Sequence, residues 1–230
     1  MSKHLEREFD ALRQELVSQF GIVEQMIQLS VRSLVERRVD LSERVIKQDR
    51  GVDDTDIRIE EECLKLLALH QPVASDMRWL VTVVKVNADL ERMADLSCNI
   101  AERSISLDLF PLFPVPSEFD EMVPSVTSMV KNALDAFVDW DSAKARQVIQ
   151  ADDLVDTLNR AVIDNLHDLM REAPENIEPA VHCFSASRHL ERIADLAENI
   201  AEDVIYLVEG DIVRHKHDTL LDPSGTEPKA

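Results

Sequence analysis

A thirteen-residue segment of this chain is written twice. Leu90 to Glu102 reads LERMADLSCNIAE and Leu190 to Glu202 reads LERIADLAENIAE, identical at ten of thirteen positions and offset by 100 residues. Upstream, Asp49, Val52 and Asp53 match Asp152, Val155 and Asp156 in the same way. The copying extends over whole structural units, so any fold proposed for one half must also serve the other.

Prolines mark the division. Pro111, Pro114 and Pro116 fall within FPLFPVP at mid-chain, and no α-helix continues through that spacing, because each proline removes a backbone donor and disfavours helix in the residue before it. In the first half, Leu5, Phe9, Leu12, Leu16, Phe20, Val23, Ile27, Val31 and Leu34 advance in steps of three and four, the period of one helical face. Two further helices are predicted, over Leu41 to Leu69 and Asp76 to Leu107, separated at Gln71-Pro72. The second half repeats the layout with helices over Ser117–Val138, Asp141–Arg171 and Glu175–His215, the last two separated at Ala173-Pro174.

Composition agrees with an aliphatic helical core: hydrophobic residues make up 45% of the chain but aromatics only 4%. Four glycines in 230 residues are too few for the turns of an all-β chain or for a glycine-rich nucleotide loop. The expected fold class is therefore all-α, two tandem three-helix bundles related by internal duplication. The expected organisation is a first bundle over residues 1–110, a Pro-rich linker over 111–116, a second bundle over 117–217 and a disordered polar tail over 218–230.

Charge narrows the partners. With 25 Lys+Arg against 45 Asp+Glu, the formal charge is -20, which repels nucleic acid and anionic membrane surfaces. No stretch approaches 18 uninterrupted apolar residues and the N-terminus is charged from its third residue, so the expectation is a soluble cytoplasmic protein without membrane insertion. Cys63, Cys98 and Cys183 are odd in number and far apart, which reads as reduced core thiols.

Four acidic i,i+4 motifs stand out inside predicted helices, two in each half: Asp49/Asp53, Glu91/Asp95, Asp152/Asp156 and Glu191/Asp195. Like charges at that spacing destabilise a helix by about 0.2–0.5 kcal/mol, so something else must favour them. On the last helix, Glu191, Asp195, Glu198 and Glu202 form a stripe about 100° around from the apolar seam of Leu190, Ile193, Ala197, Ile200 and Val204.

Hairpin geometry brings the pairs together. The centres of the first two motifs, residues 51 and 93, have their midpoint at 72, which is Pro72; those of the other two, 154 and 193, meet at 173.5, between Ala173 and Pro174. Antiparallel helices joined at those turns put each two motifs at one height, about 30 Å from the turn at 1.5 Å per residue. Four carboxylates then converge in each half, and ionised carboxylates so close either raise their pKa values or bind a cation. A lone DxxxD is ordinarily a solvated helix face; the paired, doubled arrangement favours a metal. Oxygen ligation points to iron, manganese, magnesium or calcium, with zinc also open.

Catalytic signals are few. No GxSxG, HExxH or GxxxxGK[ST] motif occurs, and none of the seven histidines has Glu three residues before it, as a ferritin-like di-iron site requires. His70, His182 and His189 read as turn or core-edge residues, and His215 and His217 as cations capping the end of the last helix.

The hairpin run Gln71-Pro72-Val73-Ala74-Ser75-Asp76-Met77-Arg78, followed by Asp89-Leu90-Glu91-Arg92-Met93-Ala94-Asp95, resembles the PhoU family. In the second half the same likeness is carried by Glu191-Arg192-Ile193-Ala194-Asp195 and Asn199 to Gly210. It covers roughly residues 5 to 215. The resemblance implies multinuclear metal clusters on E(D)xxxD pairs, with Asp49, Asp53, Glu91 and Asp95 in one and Asp152, Asp156, Glu191 and Asp195 in the other. It also implies a non-enzymatic regulator, a homodimer, that restrains the phosphate-starvation response through the cytoplasmic parts of the phosphate ABC transporter and a PhoR-type sensor kinase. Three departures stand out. Ala94 and Ala194 replace a common Gly, Leu196 replaces a frequent His, and Glu175-Asn176-Ile177-Glu178-Pro179 at the second hairpin lacks the QPVA-type run. The rival reading is a carboxylate-bridged metal enzyme or iron-handling bundle, which sustained oxygen uptake on Fe(II) addition would distinguish.

Overall fold

The computed structural model describes residues 3–211, with side chains from Leu5 onward. Six long helices follow one another: α1 Lys3–Glu36, α2 Val39–His70, α3 Ser75–Leu107, α4 Phe119–Asp139, α5 Ser142–Glu172 and α6 Ile177–Glu209. No strand occurs among the described residues. The fold is thus the expected all-α pair of three-helix units, α1–α3 and α4–α6.

The duplication is visible in how the helices end. Both α1 and α4 stop at a left-handed residue, Arg37 and Trp140, each with φ 56°. The next N–H turns back to the helix, Arg38 to the Ser33 carbonyl at 3.0 Å and Asp141 to the Ala136 carbonyl at 2.9 Å. This is the closing bond of a Schellman cap, made here without the usual glycine. Asp141 then caps α5, its carboxylate accepting from the Ala143 and Lys144 N–H groups at 3.0 and 2.9 Å. It precedes α5, which begins one residue later than the sequence suggests.

The two hairpins differ. After α2, Gln71 is left-handed and Ala74 takes φ 49°, ψ -115° in a turn closed by Asp76 N–H to the Val73 carbonyl at 3.3 Å. After α5, the chain passes through extended Ala173 into a 3-10 turn, Pro174–Asn176, where the Asn176 side chain donates to the Leu169 carbonyl at 2.8 Å. Asp49 and Asp152 are 103 apart while Leu90 and Leu190 are 100 apart, so the second hairpin is three residues shorter. Ile177, Glu178 and Pro179 therefore belong to α6 and not to the turn.

α6 ends at Glu209, earlier than the expected His215. Gly210, at φ 83°, closes it by donating to the Tyr206 carbonyl at 3.0 Å. The cap expected of His215 and His217 and the tail expected over 218–230 lie outside the described residues.

Within each unit, leucine, valine, isoleucine and methionine from three helices fill the core, with Leu16, Val45, Leu90 and Met93 fully buried in the first and Val130, Val155, Ile193 and Val204 in the second. Such burial contributes about 25 cal/mol per Å² of apolar surface removed from water. The two units join through α3 and α6, which run antiparallel. Arg78 near the start of α3 donates to the Tyr206 and Leu207 carbonyls at 3.4 and 3.3 Å, and its guanidinium lies 5.7 Å from the Tyr206 ring. At the other end Phe110 meets His182, with ring centroids 6.5 Å apart. Phe20 of α1 and Phe137 of α4 add an edge-to-face contact at 5.9 Å. Arg37 fastens the connector by donating to the Leu107 carbonyl and, at 2.7 Å, to that of Phe113. One hydrophobic core therefore spans both units.

Candidate functional site

The hairpin register is pinned by buried polar pairs. In the first unit the Asn87 side-chain amide donates to the Asp56 carbonyl and carboxylate at 3.0 and 2.6 Å. In the second, the Ser187 hydroxyl donates to the Asn159 side-chain oxygen at 3.0 Å. Ser187 stands 100 residues after Asn87, and Asn159 stands 103 after Asp56, so the same two positions tie both hairpins. One helical turn further from each hairpin loop lie the acidic motifs, level with each other as the midpoint argument requires.

In the first unit, the structure sets Asp49 and Asp53 of α2 against Glu91 and Asp95 of α3. Burial raises the pKa of Asp95, and the facing Asp49 and Asp53 carboxylates raise it further. Glu91 is raised by burial, then by Asp95, Asp56 and Asp53. Asp56 itself is raised by burial, then by Glu60 and Asp53. One oxygen of Asp49, Oδ1, is buried with no hydrogen-bond partner.

The second unit is the more strained. Burial pushes Asp152 up to about 6, assisted by Asp195, Asp156, Asp153 and Glu191. Glu198 reaches about 7, through burial and then Asp152, Glu202 and Asp195. Asp195 and Glu191 are raised chiefly by burial, and neighbouring arginines only partly oppose this. Glu191 is 8% exposed; Arg188 donates to its Oε1 at 2.6 Å, while Oε2 is buried without a partner. Asp156 sits at the rim, bridged to Arg160 at 3.0 Å.

All eight acids expected from sequence thus assemble in two fours. Asp56 and Glu198 join them. Glu198 was visible in the acidic stripe of α6; Asp56, with Glu60 four residues on, had no matching acidic pair in the second half to single it out. Glu198 has Cys98 as its counterpart in the first unit. Cys98 is half-buried, with its Sγ 3.9 Å from the Val45 carbonyl, and burial followed by the Asp49 charge raises its thiol. It lies at the edge of the first cluster and is not a core thiol, unlike Cys63 and Cys183, which burial pushes up to about 12 and so keeps inert. The three histidines play no part here: His70 pairs with Glu8 at 2.9 Å and His189 with Ser185 at 3.1 Å.

Chemically, each cluster is a set of hard oxygen donors, repelling one another at neutral pH and holding a buried oxygen with no donor. That arrangement suits a cation. Among the described residues, no three Asp, Glu, His or Cys side chains stand close enough to grip an ion as they are. Rotamer adjustment would have to accompany binding.

A family model described as the PhoU domain matches the chain twice, over residues 16–104 and 119–204. The chain belongs to the PhoU family. Each match spans one of the two three-helix units, so the PhoU domain is present in tandem. A relative from Aquifex aeolicus, named as a phosphate-specific transport system accessory protein PhoU homolog, is 38% identical over 92% of this chain and 96% of its own length. Another of the same name, from Deinococcus radiodurans, is 34% identical over 91% and 99%. The crystal structure of PhoU from Pseudomonas aeruginosa superposes with a TM-score of 0.86 at 35% identity, over 90% of this chain and 99% of that one. A structure from Streptococcus pneumoniae, described as the phosphate transport system regulatory protein PhoU, gives 0.85 at 27% identity, over 91% and 99%. Both relatives and the Streptococcus structure are named for phosphate transport or its regulation. No helix among the described residues is long and apolar enough to cross a membrane.

Proposed function

We propose that this chain is a non-enzymatic cytoplasmic regulator that restrains the phosphate-starvation response by binding the cytoplasmic parts of the phosphate transporter and a PhoR-type sensor kinase. The observation that carries the reading is likeness over nine-tenths of the chain to accessory and regulatory PhoU proteins. Charge supports the route. At -20 the chain is unsuited to DNA, so control passes through protein contacts.

The two carboxylate clusters support bound cations as part of that regulator. Asp49, Asp53, Glu91 and Asp95 would hold one set and Asp152, Asp156, Glu191 and Asp195 the other, with iron, zinc, manganese and magnesium all compatible with the donors. When bound, the cations supply positive charge that neutralises the facing acids of α2 and α3, or of α5 and α6, and clamps each hairpin. The residues themselves do the positioning: Asn87 and Ser187 fix the hairpin register, and Arg188 orients Glu191.

Reporter expression tests the regulatory role. Deleting the gene leaves phosphate-starvation genes expressed in phosphate-replete medium, given intact transporter and kinase. Normal repression in the deletion strain, with no second copy present, overturns the reading.

A further inference from the structure

Large apolar side chains lie open to solvent at matching positions of the two units. Near the start of α3, Met77 and Val81 are 50% and 38% exposed, and Val73 in the loop ahead of them is 75% exposed. One hundred residues later on α6, Ile177 and Val181 are 49% and 51% exposed, followed by Phe184 at 39%. Spacings of four, and of four and three, put each set on one helix face. Scattered exposed apolar residues are ordinary on a protein surface. The same stripe carried by both copies of a duplicated unit is not scatter, and contiguous exposed apolar surface marks interaction sites.

Placement adds a second constraint. Because α3 and α6 are antiparallel, with Arg78 beside Tyr206 and Leu207, the stripes sit at opposite ends of the helix pair. They are about 45 Å apart, at 1.5 Å per residue between positions 177 and 207. Acidic residues stand beside both stripes, more of them at the second; at the first, Arg78 is turned to the α6 carbonyls and Lys85 is paired with Asp203. Asp76 adjoins Met77, while exposed Glu172, Glu175 and Glu178 border the second stripe on a chain whose net charge is -20. A second copy of the chain would bring like charge to both places, whereas a basic element is attracted to them.

We propose that the two stripes are docking faces for a twofold-symmetric protein partner, which offers to each an apolar helix or loop flanked by Lys or Arg. The pseudo-twofold relation between the units supplies the reason for the symmetry: one recognition element presented twice meets one docking face built twice. The inference rests on the reading that the protein works through protein contacts, and it adds where and with what chemistry.

The test uses the full chain, a Met77→Ser/Val81→Ser variant, a Val181→Ser/Phe184→Ser variant and the combined fourfold variant. The probe is a helical Leu/Lys peptide, with a control in which every Leu is Ser. Wild type is expected to take up two peptides, each double variant one, and the fourfold variant to bind at least about tenfold more weakly, the loss of roughly two buried methylene equivalents. Undiminished binding by the fourfold variant overturns the proposal, as does equal binding of the Ser control, which needs no variant and reports charge alone. A wild-type dimer that the fourfold variant converts to monomer in sedimentation also overturns it, since the occupant is then a second copy. In cells, the fourfold variant should derepress the phosphate reporter. If gene deletion derepresses and the fourfold variant does not, the docking faces are wrong and the regulatory reading stands; if deletion itself changes nothing, it is the regulatory reading that fails.

Discussion

Lys85 of α3 donates to the carboxylate of Asp203 on α6 at 3.0 Å, joining the two halves through an acid that is 2% exposed. The equivalent positions under the duplication are Ser185 and Arg103, so a hydroxyl stands for the base and a base for the acid, and the ion pair is made in one copy of the seam and not repeated in the other. Removing the Lys85 ammonium takes an ion-pair partner from a buried carboxylate. Because the Lys85 side chain is 36% exposed, solvent screens part of the loss, and Lys85→Met should destabilise the chain by about 1–3 kcal/mol. Urea unfolding measures it. An unchanged midpoint would mean the pair contributes nothing to the seam.

Backbone strain gives a prediction of opposite sign. Ala74 occupies φ 49°, ψ -115°, a conformation that glycine adopts freely and alanine does not. Ala74→Gly should therefore raise stability by about 1 kcal/mol, relief of strain outweighing the extra freedom of the unfolded chain. Gly210 is the converse case, since a Cβ there meets Arg78 Nη1 at 3.0 Å on a residue with φ 83°. Gly210→Ala should lower the melting temperature and weaken the Arg78 contact with Tyr206.

The fold was legible in the sequence because its determinants are local: apolar spacing of three and four, prolines between helices and a repeated segment. The height at which the acids meet was legible as well, since the midpoint of each motif pair falls on a turn residue. Asp56 was not, because what recruits it is a tertiary hydrogen bond from Asn87. Nor was the end of α6. Apolar and basic residues continue past Gly210, and the stop depends on its left-handed conformation and on Arg78 packing against it. The misplacement of Cys98 has the same origin, for only the facing α2 helix puts Asp49 beside it.

The clusters make stability depend on pH. Asp152 and Glu198 titrate at about 6 and about 7 in the folded chain, above their ordinary carboxylate values, so between about pH 4 and 7 the folded state binds more protons than the unfolded one. Metal-free protein should lose stability as pH rises through that window, by on the order of 1 kcal/mol for each group after solvent screening. Chemical denaturation at pH 5 and pH 7.5 in chelator checks this. A metal-free protein that gains stability across the interval would show that the clusters are not in mutual repulsion.

Whether the doubled carboxylate clusters hold cations is decided most directly by elemental analysis of the chain purified without chelator or added metal. Wild type would be compared with Glu91→Ala/Asp95→Ala in the first unit and Glu191→Ala/Asp195→Ala in the second. Bound metal should fall to the share of the remaining cluster in each double variant while helical content is kept, because removing like charges relieves repulsion in the metal-free state. Equal metal content in all three proteins, or a loss of folding with no change in metal, would contradict the assignment and leave these acids with a structural role alone.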